Sequence, residues 1–345
     1  MNEIKCNADT GNSVIYTGEK ISSFEKYLKG RKTVVITDKN INRLYGNHFS
    51  NYPSVVIGTG EEIKSLATVE YIISELIKNG CDRKTFILGI GGGIVTDITG
   101  FASSVFMRGV DFGFVSSTLL SQVDASVGGK NGVNAGTLKN MIGVFRQPEF
   151  VICDPEMITT LSDSEYLSGL AEVIKHGFIR NSSLLSFISD NRNLILDKDT
   201  AVIEKMVFES VKIKTDVVTE DPKESGLRKI LNFGHTFGHA VELINGIPHG
   251  HAVAFGMICA LKLSHSLNYI TEADKNYGIN LLKNFGYKED FNIEESDLFD
   301  CLSHDKKKSD DKIDFVLLNK IGNAFIEKIE IKELRRWYND MCSGS

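Results

Sequence analysis

Proline is scarce in this chain, with 5 in 345 residues, and tryptophan occurs once. With so little proline and no low-complexity stretch, nothing reads as a flexible linker. The six cysteines stand far apart, at positions 6, 81, 153, 259, 301 and 342, and none forms a CxxC pair. That excludes a disulfide framework and a structural zinc knuckle, and it fits a reducing cytoplasm. A basic excess is also lacking: 39 Lys and Arg face 45 Asp and Glu, for a net charge of -6. Without a general positive field, nucleic acid is excluded as the main partner. The N-terminus MNEIKCNADT has no apolar core of a signal peptide. The longest apolar stretch, Ala252–Leu261, is about half of a membrane span. A cytoplasmic protein is expected.

What is present is ordinary globular material, 42% hydrophobic and 24% charged. The length suits two domains of roughly 150–200 residues. The first part alternates strand and helix signals. Thr33–Thr37, Val55–Ile57, Thr85–Ile90, Phe112–Val115 and Val151–Ile152 are short apolar, β-branched runs ending in turn signals. Between them, Leu66 to Lys78 carries apolar residues at helical spacing and stops at Asn79-Gly80. Such alternation predicts a mainly parallel sheet with helices on both faces. After Asp154-Pro155 the period becomes helical, over Leu170–Ile179, Val202–Val217 and Ala252–Leu267. The final 75 or so residues read as polar and helical, with one short strand at Phe315–Leu318. The expected architecture is therefore an α/β domain over residues 1–155 and a mostly α-helical domain over 156–345.

Three groups of residues carry chemistry. The first is Gly89-Ile-Gly-Gly-Gly-Ile-Val-Thr-Asp97, directly after a buried strand. Glycines there let backbone approach a ligand, and the following helix start offers free N–H groups to a pyrophosphate. The spacing is not GxGxxG, and a plain strand–helix turn explains it as well. Asp38, Asn40, Glu61 and Lys64 sit in other turns after strands. The second group is histidine. His235 and His239 share a helix face in NFGHTFGHAVE, and His249 and His251 follow in PHGHAV. Threonine at 236 rules out HExxH. Zinc catalysis commonly takes three protein ligands, imidazole mixed with carboxylate. Glu172, flanked by Leu170, Ala171, Val173 and Ile174, is a carboxylate whose burial would demand a partner. Spacing alone leaves the choice among the histidines open. The third group is cationic: Arg108, Lys130, Lys139, Lys175, Lys214 and Arg228 lie in apolar or glycine-rich surroundings, as phosphate and carboxylate binders do. By contrast Lys306–Lys308 is a charge run of the solvated kind.

The segment RGVDFGFVSSTLLSQVDASVGGKNGVNAGTLKNMIGVFRQPEFVICDP, residues 108–155, closely resembles 3-dehydroquinate synthases. GLAEVIKHG, LRKILNFGHTFGHAVE and PHGHAVAFGM continue the likeness in order, from about residue 33 to residue 320. The resemblance implies a two-domain homodimer with a Rossmann-like NAD site and a zinc (or cobalt) ion in the active-site cleft. It implies metal ligands Glu172, His235 and His249. The NAD contacts it implies are Asp38, Asn40, Glu61, Lys64, Gly92, Gly93, Asp97, Ser117, Thr118, Lys130, Lys139, Thr160, Leu161 and Glu165. On the substrate side it implies Asp124, Lys130, Asn140, Lys175, Lys214, Arg228, Asn232 and His239, with Arg108 reaching the phosphate from the partner subunit. The reaction implied is that of a phosphate-eliminating lyase of the shikimate pathway. It takes 3-deoxy-D-arabino-heptulosonate 7-phosphate to 3-dehydroquinate by transient oxidation by NAD, β-elimination, re-reduction and aldol closure.

Three positions depart from the family pattern. The usual VPTT reads Val115-Ser116-Ser117-Thr118, which keeps a hydroxyl at 117. Leu138 stands where a glycine is common, ahead of Lys139. The usual HGE reads His249-Gly250-His251. Other sugar-phosphate cyclases, of the 2-deoxy-scyllo-inosose, valiolone or aminated type, share the scaffold. Arg228 and Asn232 favour a substrate with a carboxylate. A metal-dependent polyol dehydrogenase has no need of the cations at 108, 130 and 139. A non-catalytic binding protein would show losses among these positions, and none is found.

Overall fold

The computed structural model describes residues 1–136, 138–291, 293–304 and 312–343. The chain begins with strands β1 (Asn2–Ala8) and β2 (Gly11–Thr17), a short helix α1 (Glu25–Leu28), β3 (Thr33–Asp38), α2 (Lys39–Tyr45), β4 (Ser54–Ile57) and α3 (Leu66–Lys78). There follow β5 (Phe86–Gly91), α4 (Gly93–Val105), β6 (Phe112–Ser116), β7 (Lys130–Ala135), β8 (Leu138–Phe145), β9 (Phe150–Cys153) and α5 (Pro155–Ile158). Helices α6 (Asp163–Arg180), α7 (Ser182–Asp190), α8 (Arg192–Leu196), α9 (Thr200–Glu220), α10 (His235–Asn245), α11 (His249–Ser266), α12 (Glu272–Asn284) and α13 (Glu295–His304) come next. Strands β10 (Lys312–Lys320) and β11 (Asn323–Glu330) and helix α14 (Ile331–Ser343) complete the described chain. None of the described helices is long and apolar enough to cross a membrane.

Two compact units result, one of Met1–Ser162 with Leu196–Glu224, the other of Asp163–Ile195 with Ser225–Ser345. The first holds a seven-stranded sheet in the order β1-β2-β9-β6-β5-β3-β4. Only the β1–β2 pair is antiparallel; the other pairings are parallel. The central strands show why the sequence reads as continuous apolar runs: β5 and β6 are buried at every position. Phe24, Phe49, Phe86, Leu88, Ile90, Phe150 and Ile152 form one core cluster on the sheet, each worth about 1.5–3 kcal/mol of burial. Ser65 caps α3, accepting from the Thr68 N–H, and Asp38 caps α2 in the same way through Asn40 and Ile41.

The sequence reading puts no strand before Thr33, whereas β1 and β2 open the sheet. The β1 alternation is mostly polar, with only Cys6 fully buried, so the period of two is faint. The β7–β8 hairpin also lay beyond the pattern, because β8 is almost wholly exposed and each strand carries a glycine. A division at residue 155 assigns α9 to the helical part. In the structure its buried face, which includes Val207, Val211 and Val218, packs with β1 and β2 of the sheet unit.

The second unit is helical, as the sequence predicts, with a β10–β11 antiparallel hairpin where only a short strand was expected. Helix α11 is its centre and packs on α6, α10, α12 and β10. Phe237 of α10 lies within 5.7–6.3 Å, ring centre to ring centre, of Phe299, Phe315, Trp337 and Tyr338. That aromatic cluster fixes α10 from the face opposite its histidines.

Candidate active site

In the first unit, β3, β4, β5, β6 and β9 run parallel and end at one edge of the sheet. From β3 the chain passes outward to β4, and from β5 it passes the other way to β6. The switch point therefore lies between β3 and β5, where open α/β sheets bind ligands. The loops flanking it carry Asp38 and Asn40 on one side and Gly91–Gly93 on the other. Helix α4 starts at Gly93 with no side-chain cap on its N–H groups. A Cβ on Gly92 would stand 3.0 Å from Thr118 Cγ2, so the loop tolerates only glycine if a ligand is to share that space. At the end of β6, Ser117 Oγ is buried with no hydrogen-bond partner, which is costly unless something binds there. Cradle, uncapped helix start and orphaned hydroxyl together fit a dinucleotide pyrophosphate.

Beside this edge Lys64, only 6% exposed, contacts Asp97 Oδ2 and Asn140 Oδ1, each at 2.5 Å. Burial raises the Asp97 carboxyl above its usual value, and the Lys64 ammonium opposes that rise. Asn134, which the sequence reading passed over, joins the parts: it donates to Glu61 Oε1 and accepts from the Asn140 N–H. The β7–β8 hairpin bearing Lys130 and Lys139 is thus tied to the Glu61–Lys64 turn. Thr160 Oγ1 lies 3.1 Å from the Tyr45 hydroxyl, and the Leu161 carbonyl accepts from Lys198. Glu165 falls in the second unit, exposed in the first turn of α6.

Lys130 and Lys214, like Lys64, pair with carboxylates of the first unit. Lys130 pairs with Glu224, a residue absent from the sequence candidates. Lys214 of α9 donates to Asp124 Oδ1 and to the Asp124 carbonyl. Arg108 is exposed, with φ 68° after Met107 at φ 49°, a strained pair of left-handed residues. It precedes β6, so it lies at the sheet edge opposite the glycine loop, about 17 Å away along the strand.

The second unit builds a different kind of site. Helix α6 carries Glu172 and Lys175, α10 starts on His235, and α11 starts on His249. Glu172 is fully buried, and its Oε1 stands 3.7 Å from His235 Nε2 and 3.5 Å from His249 Nε2. Two donors about 2.1 Å from a tetrahedral zinc lie roughly 3.4 Å apart, so these spacings fit one ion. Neither Glu172 oxygen accepts a hydrogen bond of ordinary geometry, although Lys175 ion-pairs with it. A buried carboxylate left so, facing two imidazoles, fits a divalent metal. Burial alone would raise the Glu172 carboxyl; Lys175 and the two histidines overcome this and hold it well below its usual range. Burial, with Lys175 nearby, keeps His235 well below its ordinary value, hence neutral. Burial also lowers His249, but Glu172 and Glu242 outweigh it and push the ring up to about 9. Metal binding would release that proton.

Glycine explains why the helices meet so closely. A Cβ on Gly250 would overlap the Ser168 backbone of α6, and one on Gly256 would overlap the Gly234 carbonyl. The Gly250 N–H donates to Ser168 Oγ at 2.9 Å, seating the start of α11 against α6. His251 is two residues on, about 200° round the helix, and its ring packs edge-on against Tyr287 instead. His239, exposed, has its ring 5.0 Å from that of His235. Lys175 and Arg228 are buried at 1% exposure. Arg228 and Asn232 share the helical turn Leu227–Asn232 just before α10. Lys306 and Lys307 lie outside the described residues.

Residues 54–168 match the model of the 3-dehydroquinate synthase N-terminal domain and residues 169–308 that of its C-terminal domain. This chain belongs to the 3-dehydroquinate synthase family. It is 38% identical over 322 residues to the 3-dehydroquinate synthase of Thermoanaerobacter pseudethanolicus, covering 90% of each chain. With that of Dictyoglomus thermophilum it shares 38% over 345 residues, 97% of each. Among solved structures it is similar to 2-deoxy-scyllo-inosose synthase complexed with carbaglucose-6-phosphate, NAD+ and Co2+. That match has TM-score 0.87, 26% identity, and covers 97% of this chain and 98% of the other. The fold is shared too with 2-epi-5-epi-valiolone synthase from Streptomyces hygroscopicus subsp. jinggangensis 5008 with NAD+ and Zn2+ bound, at TM-score 0.86 and 21% identity, over 100% and 99% of the two chains. Family members are enzymes, and relatives of this fold hold NAD+ with a divalent metal; the glycine loop of the first unit fits the one and the Glu172–His235–His249 cluster of the second fits the other.

Two residues with polar roles escaped the sequence reading, Glu224 and Asn134, and a third, Glu242, is placed by its spacing on the histidine face without a role. Glu224 lies outside the glycine- and histidine-rich motifs, and Asn134 lies in a glycine-rich stretch whose lysine drew the attention. Glu242 does stand on the His235 face of α10, and that spacing was the available signal.

Proposed function

We propose that this chain is itself a 3-dehydroquinate synthase, converting 3-deoxy-D-arabino-heptulosonate 7-phosphate to 3-dehydroquinate and phosphate. The observation that carries the reading is the meeting of Glu172, His235 and His249 at single-ion spacing in a chain of this family. When bound, the metal would polarise a substrate hydroxyl and NAD+ would accept a hydride and give it back after elimination, the substrate's transient carbonyl acidifying the neighbouring C–H in between.

The remaining work falls to the side chains. Glu172, His235 and His249 hold the metal. Asp38, Asn40, Glu61, Lys64, Gly92, Gly93, Asp97, Ser117, Thr118, Lys139, Thr160, Leu161 and Glu165 bind NAD, with Lys130 between cofactor and substrate. Arg228 and Lys214 hold the substrate carboxylate, Lys214 being oriented by Asp124. Lys130, Asn140 and His239 surround the phosphate, with Arg108 contributed by a second copy in a homodimer. The position of Arg108, at the sheet edge away from its own glycine loop, supports that assignment. Lys175 orients the substrate and moves protons beside Glu172, and Asn232 contacts the carboxylate end. The reading places the enzyme in the cytoplasm.

The test incubates purified protein with the heptulosonate phosphate, NAD+ and Zn2+. Release of phosphate with formation of 3-dehydroquinate, and no net NADH, is expected. Absence of both products overturns the assignment. Accumulating NADH would point to a dehydrogenase instead.

A further inference from the structure

The two histidines proposed to hold the metal are oriented by unlike partners. His235 Nδ1 lies 3.3 Å from the Phe233 carbonyl oxygen, a neutral backbone group. His249 Nδ1 lies 2.8 Å from Glu242 Oε2, a carboxylate. An ionised carboxylate has no proton to give, so the His249 Nδ1–H donates to Glu242, and Nε2, which faces Glu172, is the nitrogen left to offer its lone pair to a metal once its own proton is released. Glu242 is seven residues beyond His235 on α10, two turns along the same face. One helix therefore contributes a metal-facing imidazole and, from its next turns, a carboxylate for the imidazole of the neighbouring helix.

We propose that Glu242 is a positioning residue for the metal. Its carboxylate fixes the tautomer and ring plane of His249 and makes that imidazole the more electron-donating of the two nitrogen ligands. This rests on the reading of Glu172, His235 and His249 as the metal site. The physical basis is general: a ring whose far nitrogen donates to an anion is a stronger base at its near nitrogen. The same contact separates His249 from His251. His251 packs on Tyr287, is on another face of α11, and has no carboxylate of α10 within reach of its ring among the contacts described. The geometry thus makes position 249 a ligand position and explains how position 251 can hold a histidine without disturbing it.

The test measures Co2+ binding to metal-free protein by competition with a chelating dye, and records the visible absorption of bound Co2+. It uses wild type, Glu242→Gln, Glu242→Ala and Glu172→Ala. Loss of Glu242 should weaken Co2+ by roughly 10–100-fold, as removal of an outer-shell partner typically does. Glu242→Gln, which keeps an acceptor oxygen but loses the charge, should fall between wild type and Glu242→Ala. The absorption bands should shift in both, while the melting temperature of the metal-free variants stays near that of wild type. Wild-type affinity with unshifted bands in both variants overturns the proposal, as does a lowered melting temperature with unchanged binding. Should Glu242→Ala not fold, Glu242→Gln decides by its bands and affinity. Glu172→Ala separates the two levels: if it binds Co2+ like wild type, the metal site itself is misplaced, whereas its failure to bind beside intact Glu242 variants defeats only the inference about Glu242.

Discussion

The two units build their candidate sites from different materials. The first uses backbone: glycines at a sheet edge, an uncapped helix start and turns after parallel strands. The second uses side chains: a carboxylate and two imidazoles from helices that begin at residues 163, 235 and 249. A backbone site depends on topology and on the absence of side chains. A side-chain site depends on helix packing to within a fraction of an ångström. Damage to one should therefore leave the other intact.

Glu172→Ala tests that independence with the largest effect. Removing a metal ligand should abolish stoichiometric zinc and cut kcat/KM by about 1000-fold or more, since the metal stabilises several kcal/mol of developing charge. NAD+ affinity should stay near that of wild type; a parallel loss of both, seen by metal analysis and NAD+ titration, would break the comparison. Next is Phe237→Ala. Phe237 is 1% exposed in the aromatic cluster behind α10, and its loss should cost about 3–5 kcal/mol. Hydrogen exchange should speed up in α10 and not in α4. Smaller still is Gly92→Val, whose side chain would crowd the space beside Thr118, where a Cβ alone meets Cγ2 at 3.0 Å. NAD+ should bind roughly 10–100-fold more weakly, about 1.4–2.7 kcal/mol, with zinc content unchanged by elemental analysis.

The smallest effect sharpens the contrast between a site carboxylate and a merely structural one. Glu149 makes a two-point pair with Arg31, and the Arg31 hydrogen bonds hold its carboxyl below the usual value against the opposing effect of burial. A depressed folded pKa means the pair contributes stability above the unfolded pKa, near 4.3, and loses it as pH falls through the folded value. The pair is partly solvent-exposed, so Glu149→Gln should cost no more than about 1 kcal/mol at pH 7. The difference from wild type should vanish in acid denaturation below that value.

The parallel strands were readable because a strand buried on both faces must be largely apolar, as β5 is along its length and β3 is over Val34, Val35 and Ile36. Helix α3 was readable because Leu66 to Lys78 keeps one apolar stripe and ends at Asn79-Gly80. The β1–β2 and β7–β8 hairpins were not, because their pairings are partly exposed and leave no strong period. Helix α9 reads as a helix, but nothing in its pattern says which core receives its buried face. Among the site residues, the glycine loop and the histidine cluster stood out by composition. Glu224 and Asn134 did not, since a lone carboxylate or amide gains meaning only from what it faces.

By itself the sequence determined the alternation that gives a parallel sheet followed by helices, the glycine loop after β5, and, through long family motifs, the reaction class. Periodicity and composition are local properties, so a single chain carries them openly. Only the tertiary structure decided which histidines face Glu172, because that depends on Gly250 and Gly256 letting α11 press against α6 and the start of α10. It also gave His249 a carboxylate and His251 a tyrosine, a distinction made by direction around a helix and by neighbours remote in sequence.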